Sequence, residues 1–549
     1  MRTLALALVL APACVGPVPF GADAPKDGGV DTDAGDTGTD GPGDDLPSDT
    51  DAPVAPDETD TAGDDTDGPG DSADSADSGT ASCACDDLDP CTLDVCLPGG
   101  TCAHHGAWDG TPVGLFPQDL LRDPGTLEVQ VLSTKTVTKN LRQVRVQELR
   151  FTGWESEACM LRPVRLQAFL AMPVDVVGTT RSTPGLVVAH GLGGLADEGA
   201  AVGPAGDHGL VTLAYSGPGQ GASQGTPSEP DHLFDTLTIP RDSWFWEHAA
   251  AAMRGLTLLG ALPEVDPGRL AMSGYSGGGV ATLIANGVDD RLAAAVVVSA
   301  TGHWQLAVDN PTPGWQADLL ADMTPPRTKD APEWKALEGA LDPRHFLATA
   351  HGRTLLIDGT QDQFFPIDTA RATMADLQAA DPAHRLLEIV DWDHGWFALF
   401  NDELPGLESS RAVRFWLRHA LGTAGSAAGL PSQPELVDAQ PALCDGFTVP
   451  CTVVVVRVPP GPYAAVDGWV RFSADGLGWA SAKLQGGPEI FTAEIKPCLS
   501  LPCTITLANH AMVVDVAFRW GGVLDEPFRL SSIPRLPPGF APRILPIQP

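Results

Sequence analysis

Basic residues are scarce in this chain of 549 residues. It has 33 lysines and arginines against 71 aspartates and glutamates, which gives a formal net charge of −38 at pH 7. A protein that binds nucleic acid needs a basic patch to neutralise phosphates, so this composition argues against nucleic acid as a partner. The chain also has no long hydrophobic run near its start. The apolar stretch there, Leu4–Leu10, is too short to cross a bilayer.

Residues 1–14 have the pattern of an export signal. One basic residue, Arg2, precedes the short apolar run, and Ala11-Pro12-Ala13-Cys14 follows it. The two alanines fit simple cleavage, whereas a cysteine directly after them fits lipid attachment, and we favour the second interpretation. We therefore expect an exported protein, either a lipoprotein of the bacterial cell envelope or a secreted one. Its only link to a membrane is lipid at Cys14.

Residues 15–82 are predicted to form a disordered linker. From Ala22 to Ser82 large apolar side chains are almost absent, and the segment has 19 acidic residues and one lysine. Such a stretch buries too little surface to offset its chain entropy. Its aspartates do not match the spacing of an EF-hand loop, which needs a glutamate at position 12. We therefore predict no metal site here.

Residues 83–124 are expected to form a small module held by disulfides. Five cysteines lie close together in it, namely Cys83, Cys85, Cys91, Cys96 and Cys102. Zinc is the rival interpretation, but the spacing lacks a C-x₂-C pair, and export favours oxidation. Because five is an odd number, either Cys159 pairs back to this module or one thiol is free. The spacing leaves the connectivity open.

The sequence Gly274-Tyr275-Ser276-Gly277-Gly278 is the most informative motif of the chain. An apolar strand, Leu270–Met272, leads into it, and a helix-like segment follows. The flanking glycines lack a Cβ, so the backbone can turn sharply and hold Ser276 in a strained conformation. A serine in such a strand–turn–helix context is a candidate nucleophile.

An acid and a histidine follow in the order that this motif needs. The predicted strands Thr354–Asp358 and Arg385–Val390 are followed by Asp362 and His394 respectively. In open α/β sheets, ligands bind beyond the C-terminal ends of the strands. A serine hydroxyl needs a base to take its proton. We therefore predict that Ser276 is the nucleophile, that His394 is the base, and that Asp362 orients His394.

Each of these assignments has an alternative. Asp362 alone fits an ordinary turn, Ser276 a helix cap, and His394 a surface loop, but their conjunction favours chemistry. Two neighbouring carboxylates are weaker candidates for the acid. Asp358 ends its strand too early to reach the histidine, and Asp393 adjoins the histidine too closely to bend back onto its ring.

A glycine-rich turn is the candidate oxyanion hole. The predicted strand Gly185–His190 is followed by Gly191-Leu192-Gly193-Gly194, whose backbone N–H groups can point into the site. The amides of Leu192 and Gly277 are expected to hold the negative charge that develops during acyl transfer. His190 is expected to brace this turn rather than to act as a second base.

Together these segments resemble the α/β-hydrolase superfamily. Residues 140–422 are most similar to its prolyl-oligopeptidase-like and acetyl-xylan-esterase-like members, through His190–Gly194, Leu213–Ser223, Val265–Leu270, Gly274–Gly278, Gly359–Asp362 and Asp393–Gly395. The resemblance implies a doubly wound, mostly parallel α/β sheet over residues 125–422. It also implies a Ser-Asp-His triad that works through an acyl-enzyme, without cofactor or metal. The segment Ser216–Ser223 departs from the commoner form, which opens with aspartate and a basic residue, and this leaves the subfamily open.

Three residues are candidates for substrate binding: Trp304, Arg241 and Trp396. Trp304 belongs to the segment 303–345, which contains several tryptophans and prolines between two predicted strands. In the superfamily that the chain resembles, such an insertion often forms a lid or pocket wall. A surface excursion packed on its own tryptophans is the alternative, and the sequence leaves both open.

Residues 432–549 are predicted to form a β-sandwich. Short strand-like runs alternate there with turns of glycine, proline and aspartate. Cys444 with Cys451, and Cys498 with Cys503, are close enough in sequence to close local loops. The segment shows no catalytic constellation, so we interpret it as a spacer or packing partner in preference to a polymer-binding module.

The sequence therefore predicts an exported serine hydrolase, and most simply a carboxylic-ester hydrolase. Its substrate would be a small-molecule or polymeric ester. A serine peptidase of the prolyl-oligopeptidase-like type is one alternative, because the same triad serves both reactions. A surface binding protein with an idle hydrolase fold is another. The sequence does not indicate the acyl group, the alcohol or the oligomeric state.

Overall fold

The computed structural model describes residues 110–157, 160–228, 232–233, 240–310, 315–394, 406–422, 430–444, 449–460, 463–475, 478–487, 489–495, 510–520 and 528–540, and the backbone of two short strands, 93–96 and 102–105. The predicted signal segment, the acidic linker, most of the cysteine-rich module, Cys159 and Trp396 lie outside these residues. In the part of the chain that is described, no helix is long and apolar enough to cross a membrane.

The described strands are β1 (Leu93–Cys96), β2 (Cys102–His105), β3 (Gln130–Lys139), β4 (Arg142–Glu157), β5 (Met160–Pro173), β6 (Thr183–Ala189), β7 (Val211–Tyr215), β8 (Val265–Tyr275), β9 (Leu292–Val298), β10 (Arg353–Gly359), β11 (Arg385–Ile389), β12 (Glu435–Cys444), β13 (Val449–Arg457), β14 (Tyr463–Ser473), β15 (Ala480–Lys483), β16 (Gln485–Gly486), β17 (Ile490–Ile495), β18 (Ala511–Trp520) and β19 (Phe528–Ser531). The described helices are α1 (Gln118–Leu121), α2 (Glu198–His208), α3 (Trp244–Ala261), α4 (Gly277–Val288), α5 (Trp304–Asp309), α6 (Trp315–Asp322), α7 (Pro332–Leu341), α8 (Ile367–Ala380) and α9 (Gly406–Ala420).

A mixed sheet of nine strands, in the order β11-β10-β9-β8-β6-β7-β5-β4-β3, is the centre of the fold. The strands are parallel from β11 to β7 and antiparallel from β7 to β3. The central strands β6 and β7 are buried along their whole length, as expected when helices cover both faces of a parallel sheet. The predicted doubly wound α/β-hydrolase fold is therefore confirmed.

The strand order reverses around β6. This strand pairs with β7 on one side and with β8 on the other, so the turns that follow β6 and β8 lie at a topological switch point. Ligands of open α/β sheets bind in the crevice at such a point. The turn Gly191–Gly194 follows β6, and Ser276 follows β8, so the fold brings the predicted oxyanion turn and the predicted nucleophile together.

Two apolar cores lie on the opposite faces of this sheet. Helices α3 and α4 pack on one face, against side chains that include Val187 and Met272. Helices α2 and α9 pack on the other face, against side chains that include Leu186 and Val296. Neighbouring residues of one strand thus enter different cores, which is the period of two that a strand imposes on its side chains.

The first folded segment packs beneath helix α3. Leu115, Phe116 and Leu121 belong to the core of the sheet, and the ring of Phe116 stacks on Trp246 at 5.8 Å. The hydrolase domain was predicted to begin near residue 125, whereas residues before that position already pack in its core. These residues lie in short helical turns, whose apolar side chains show no regular period in the sequence.

Arg254 holds this first segment in place. The side chain is fully buried on α3, and its guanidinium donates to the carbonyl oxygens of Leu120, Leu121 and Asp123 at 2.7–3.2 Å. Two more donations reach the Thr152 carbonyl and the Thr126 hydroxyl. Burial lowers the pKa of Arg254 to about 10, but the group remains charged at neutral pH. One guanidinium therefore provides hydrogen-bond donors for three carbonyl groups of the irregular segment between residues 120 and 123.

The C-terminal residues form two antiparallel sheets of four strands, β12-β13-β17-β16 and β15-β14-β18-β19. This agrees with the sandwich expected from the turn spacing. Cys451 on β13 is disulfide-bonded. The sandwich side chains Val454 and Val514 share one apolar core with Trp416 of α9, so this domain packs directly on the hydrolase sheet.

The sandwich also covers the edge of the nine-stranded sheet. The Gln433 amide accepts from the Leu386 N–H at 2.9 Å and donates to the Leu386 carbonyl at 3.0 Å. The Ser531 hydroxyl accepts from the Glu388 N–H at 2.9 Å and donates to the Glu388 carbonyl at 3.0 Å. Because open strand edges are templates for aggregation, these two side chains take the place of a further strand beside β11.

Strand β3 is an element that the sequence pattern does not predict. Its residues are exposed along most of its length, so they show no alternation of apolar and polar side chains. The strand forms through its backbone ladder to β4, and a backbone ladder leaves little signal in the sequence.

We predict that Arg254→Met strongly destabilises the protein. The substitution removes a cation that is buried among carbonyl groups, and these acceptors lose their donors. The expected loss in the free energy of unfolding is about 3–5 kcal/mol, measured by urea denaturation. Arg269→Met is the matched control, because Arg269 is partly exposed in an ion pair with Asp266. It should cost about 1 kcal/mol or less, and equal losses would contradict the role of Arg254.

Candidate active site

Ser276 lies on a sharp turn between β8 and α4. Its backbone has φ 54° and ψ −121°, a conformation that costs a residue with a side chain about 1–3 kcal/mol. Glycine is required on both sides. A Cβ at Gly274 would lie 2.0 Å from the Gly278 carbonyl oxygen, and one at Gly278 would lie 2.3 Å from the Ala189 carbonyl oxygen. The first turn of α4 thus excludes a side chain at residue 274, and the close approach of β6 excludes one at residue 278.

The three predicted site residues form one hydrogen-bonded chain. The Ser276 Oγ lies 3.0 Å from Nε2 of His394, and Nδ1 of the same ring lies 2.9 Å and 3.1 Å from the two carboxylate oxygens of Asp362. With Asp362 as acceptor, the ring proton belongs on Nδ1, which leaves Nε2 free to accept from the serine. This arrangement can pass a proton from a hydroxyl to an imidazole.

The Asp362 carboxylate is fixed by the turn that carries it. Oδ1 accepts from the N–H groups of Phe364 and Phe365 at 2.7 Å and 2.8 Å. The residue is 1% exposed. Both donors belong to the turn that enters helix α8, so the local chain aims the carboxylate before the histidine arrives.

His394 is held on every side. Its N–H donates to the Gln363 side chain at 3.1 Å, and the Tyr275 hydroxyl donates to its carbonyl at 2.5 Å. The ring of Phe364 stacks on the imidazole at 4.1 Å. The sequence did not predict a role for Tyr275 or Phe364. The one feature that could have indicated such a role is proximity, since each residue lies within two positions of a predicted site residue.

The two weaker acid candidates lie elsewhere. The Asp393 side chain is exposed to solvent, and Asp358 is fully buried at the end of β10. In the described structure, the carboxylate that meets the His394 ring is Asp362. Asp362 is therefore the carboxylate that contacts the histidine, in agreement with the prediction from its position after β10.

The amides of Leu192 and Gly277 lie beside each other at the switch point. A Cβ on Gly277 would lie 3.1 Å from the Leu192 nitrogen, which shows how closely the two turns approach. Gly277 is the first residue of α4, and N–H groups of a first helical turn have no partner within the helix. The neighbouring Gly193 and Gly194 amides are bound to Ser228 Oγ and to the Gly191 carbonyl.

His190 braces the glycine turn. Its Nε2 accepts from the Gly217 N–H at 2.8 Å, so its proton belongs on Nδ1, which donates to the Gly191 carbonyl at 2.7 Å. Burial lowers the pKa of His190 to about 4, so it stays neutral in this bridging role. The His248 ring lies beside it in a tilted arrangement, with the ring centroids 4.8 Å apart, and donates to the His190 carbonyl.

Two of the predicted substrate-binding residues lie in the core. Trp304 is 1% exposed and packs on Trp334 and Phe245. Arg241 is 2% exposed and donates to the Leu115 carbonyl. Both side chains thus serve packing rather than an open pocket, because their contacts are with the first folded segment and the α7 region. Trp396, the third candidate, lies outside the described residues.

Glu155, His232 and Glu247 bring three potential metal-ligating atoms within 4.8 Å of one another. Each carboxylate already has donors from the protein. Glu155 accepts from Arg162 and the Thr226 N–H, and Glu247 accepts from the Ser156 N–H and His232. Burial raises the pKa of Glu247 to about 7, and the bond from His232 opposes this rise. The cluster is therefore a satisfied polar network.

Comparison with known proteins gives one family match. Residues 250–422 match the prolyl oligopeptidase family. No curated protein sequence matches the chain significantly.

Solved structures with a similar fold include esterases and a peptidase. An acetyl xylan esterase from Paenibacillus sp. R4 is 21% identical, with 55% of this chain and 92% of that chain covered and a TM-score of 0.44. Acetyl xylan esterase 1 from Thermoanaerobacterium sp. JW/SL YS485 is 20% identical, with 53% and 88% covered and a TM-score of 0.41. A puromycin-hydrolyzing peptidase of Mycobacterium tuberculosis is 17% identical, with 53% and 46% covered and a TM-score of 0.37.

The family match begins within α3 and includes the turn at Ser276 and the turns that carry Asp362 and His394. Residues 250–422 of this α/β-hydrolase fold are therefore similar to the prolyl oligopeptidase family, whose members are serine hydrolases.

Proposed function

We propose that this protein is an esterase that cleaves carboxylic esters through a covalent acyl-enzyme on Ser276. The observation that carries the proposal is the hydrogen-bonded chain from Ser276 through His394 to Asp362. It begins at a strained backbone position. Strain of this kind persists only where the surrounding structure enforces it, and it is concentrated at functional sites.

The first half of the reaction forms the acyl-enzyme. Ser276 Oγ attacks the ester carbonyl carbon while His394 Nε2 takes the hydroxyl proton. Asp362 keeps the imidazole in the required tautomer and stabilises the imidazolium that forms. The carbonyl oxygen becomes negative as the tetrahedral intermediate develops. The N–H groups of Leu192 and Gly277 donate to it, and one such donor is typically worth about 3 kcal/mol of barrier.

The second half releases the products. His394 returns its proton to the departing alkoxide, so an alcohol leaves and Ser276 keeps the acyl group. A water molecule then attacks the acyl carbon while His394 takes one of its protons. The bond between the acyl carbon and Ser276 Oγ breaks, His394 returns the proton to Oγ, and the carboxylic acid leaves. The steps need no cofactor, because every proton moves between Ser276, His394, water and substrate.

An ester is favoured over a peptide for a physical reason. An amine is a poorer leaving group than an alcohol, and peptides usually need a long cleft. In the described residues the second domain is the C-terminal two-sheet unit, which packs on the far edge of the sheet at β11. No described element forms a propeller over the strand ends.

We predict much faster turnover of p-nitrophenyl esters, or of acetylated xylan, than of aminoacyl-anilides. A panel of these substrates at equal concentration measures the ratio. An anilide turned over as fast as the best ester would move the protein to the peptidase class, which the family match keeps as the second candidate.

Ser276→Ala should lower ester turnover by about 10³-fold or more, because only the oxyanion donors and substrate binding remain. It should also abolish covalent labelling by a fluorophosphonate probe. Robust labelling of the alanine variant would mean that another residue is the nucleophile. Failure of the wild-type protein to label at all would favour an idle hydrolase fold that serves as a binding protein.

Asp362→Asn should slow turnover by about 10³-fold or more, because an amide in this place leaves the His394 ring in the wrong tautomer. Asp393→Asn is the control, since its side chain is exposed and adjoins the same histidine. Its turnover should stay within a few-fold of wild type. A larger loss in Asp393→Asn than in Asp362→Asn would reassign the acid.

Export is part of the proposal and rests on the N-terminal pattern alone. A signal segment that ends at Cys14 would place the enzyme in the cell envelope or outside the cell. The acidic linker would then let the folded domains reach away from a lipid anchor.

A further inference from the structure

Two buried carboxyl groups lie beside the proposed catalytic acid and take no part in the reaction described above. Asp358 on β10 and Glu388 on β11 are direct partners in the parallel ladder, so their side chains project from the same face of the sheet. Leu356 and Leu386, two residues earlier on each strand, belong to the core on this face. Asp358 is 0% exposed and Glu388 is 2% exposed.

Neither carboxyl has the donors that a buried anion needs. The two oxygens of Asp358 and the two of Glu388 have no hydrogen-bond partner of ordinary geometry. A weaker contact from the Gly359 backbone lowers the pKa of Asp358, but by less than burial raises it. Leaving an ionised carboxylate in this state is costly, and such a group usually takes up a proton instead. Burial raises the pKa of Asp358 well above its usual range, and the charges of Asp362 and Glu388 raise it further. Burial, and then the charge of Asp362, raises the pKa of Glu388 to about 8.

The Asp362 carboxylate has room for one more donor. Its Oδ1 accepts from two backbone N–H groups and from His394, whereas its Oδ2 accepts from His394 alone. Asp358 and Asp362 lie four residues apart, at the end of β10 and in the turn after it, and a side-chain hydrogen bond with Asp362 is among the causes that raise the pKa of Asp358. Two ionised carboxylates in contact repel each other, but a protonated Asp358 can donate to its neighbour.

We propose that Asp358 is a positioning residue for the triad acid: it is protonated and donates a hydrogen bond to the Asp362 carboxylate, and Glu388 beside it is protonated as well. Asp358 and Glu388 then hold one proton each. This inference rests on the proposed function for its kinetic consequence, but the protonation of the cluster is independent of that function.

Among the described residues, the charged groups that shift the pKa values of Asp358 and Glu388 are themselves carboxyl groups. The charged groups that act on Asp358 are Asp362 and Glu388, and the one that acts on Glu388 is Asp362. From the loop after β11, His394 faces Asp362. From the C-terminal domain, the neutral Ser531 hydroxyl binds the Glu388 backbone. Arg471 of β14 acts on Asp391 instead.

A donor at this position has a specific effect on the triad. Asp362 must keep its carboxylate plane aligned with His394, and the two backbone donors hold only Oδ1. A hydrogen bond from Asp358 fixes the other side of the group. The loss of one hydrogen bond to a charged group typically costs about tenfold or more in an equilibrium or rate. The effect should fall on kcat, because Asp358 does not touch substrate.

The protonation of Asp358 and Glu388 can be tested by measuring how the free energy of unfolding depends on pH. The measurement uses the Ser276→Ala variant, so that the result does not depend on catalysis. The folded-state pKa of Glu388 is raised, so between its ordinary value near 4.5 and about 8 the folded chain holds a proton that the unfolded chain has lost. Stability therefore falls as pH rises through this window, by about tenfold in the folding equilibrium per pH unit for each such proton.

Glu388→Gln and Asp358→Asn cannot ionise, so each should reduce this slope by about one proton in urea denaturation between about pH 5 and pH 8. Asp393→Asn, an exposed carboxylate, is the control and should leave the slope unchanged. A slope that is unchanged in both buried variants overturns the proposal.

The positioning role is tested by kcat and KM on an ester that the enzyme cleaves. Asp358→Ala, which cannot donate, should lower kcat about tenfold with little change in KM. Asp358→Asn can donate from its amide and should restore most of that loss. Equal losses in the two variants overturn the positioning role. If Ser276→Ala keeps wild-type turnover, the proposed function fails, while the stability slopes still decide whether the cluster is protonated.

Discussion

The close packing of β6 against the turn at Ser276 is the constraint on which the rest of the site depends. Side chains at Gly274 or Gly278 would collide with backbone carbonyl oxygens at 2.0–2.3 Å. Without those side chains, the turn after β8 comes next to the turn after β6. This single approach brings Ser276, the Leu192 amide and the start of α4 together. A looser junction would keep the sheet but separate the proposed nucleophile from the proposed oxyanion donors.

The same constraint decides where the partners of Ser276 must come from. Ser276 follows β8, and the C-terminal ends of the other parallel strands lie along the same side of the sheet, with β10 two strands and β11 three strands away. The turns after β10 and β11 supply Asp362 and His394 from that direction. The backbone donors of Phe364 and Phe365 fix the acid, and the Phe364 ring supports the base. Local turns thus fix the orientation of the Asp362 and His394 side chains, and the sheet fixes their position relative to Ser276.

The sequence predicted the parts of this arrangement that depend on local pattern. Glycine around Ser276, apolar strands of five to seven residues, and polar residues directly after those strands are all visible without coordinates. Tertiary partners are different. Trp304 and Arg241 looked like pocket residues because an aromatic or a cation in a loop has no local reason to be buried. Arg241 is buried against the Leu115 carbonyl, 126 residues earlier in the chain, and Trp304 is buried against Phe245 and Trp334. The exposed strand β3 escaped prediction for the opposite reason, since a ladder to one neighbour needs no apolar period.

The C-terminal sandwich is more closely tied to the site than a spacer would be. Gln433 and Ser531 complete the hydrogen bonds of the edge strand β11, and Trp416 shares a core with strands of both domains. Ser531 holds the backbone of Glu388 from outside the sheet, while the Glu388 side chain lies beside Asp358, next to Asp362. Contacts therefore continue from the sandwich to Asp362 through two carboxyl-bearing residues, Glu388 and Asp358. The sandwich binds the backbone of β11, and every residue of that strand is buried. This burial is the main cause of the raised pKa of Glu388, so the docking of the sandwich belongs to the physical basis of the protonation proposed for that residue.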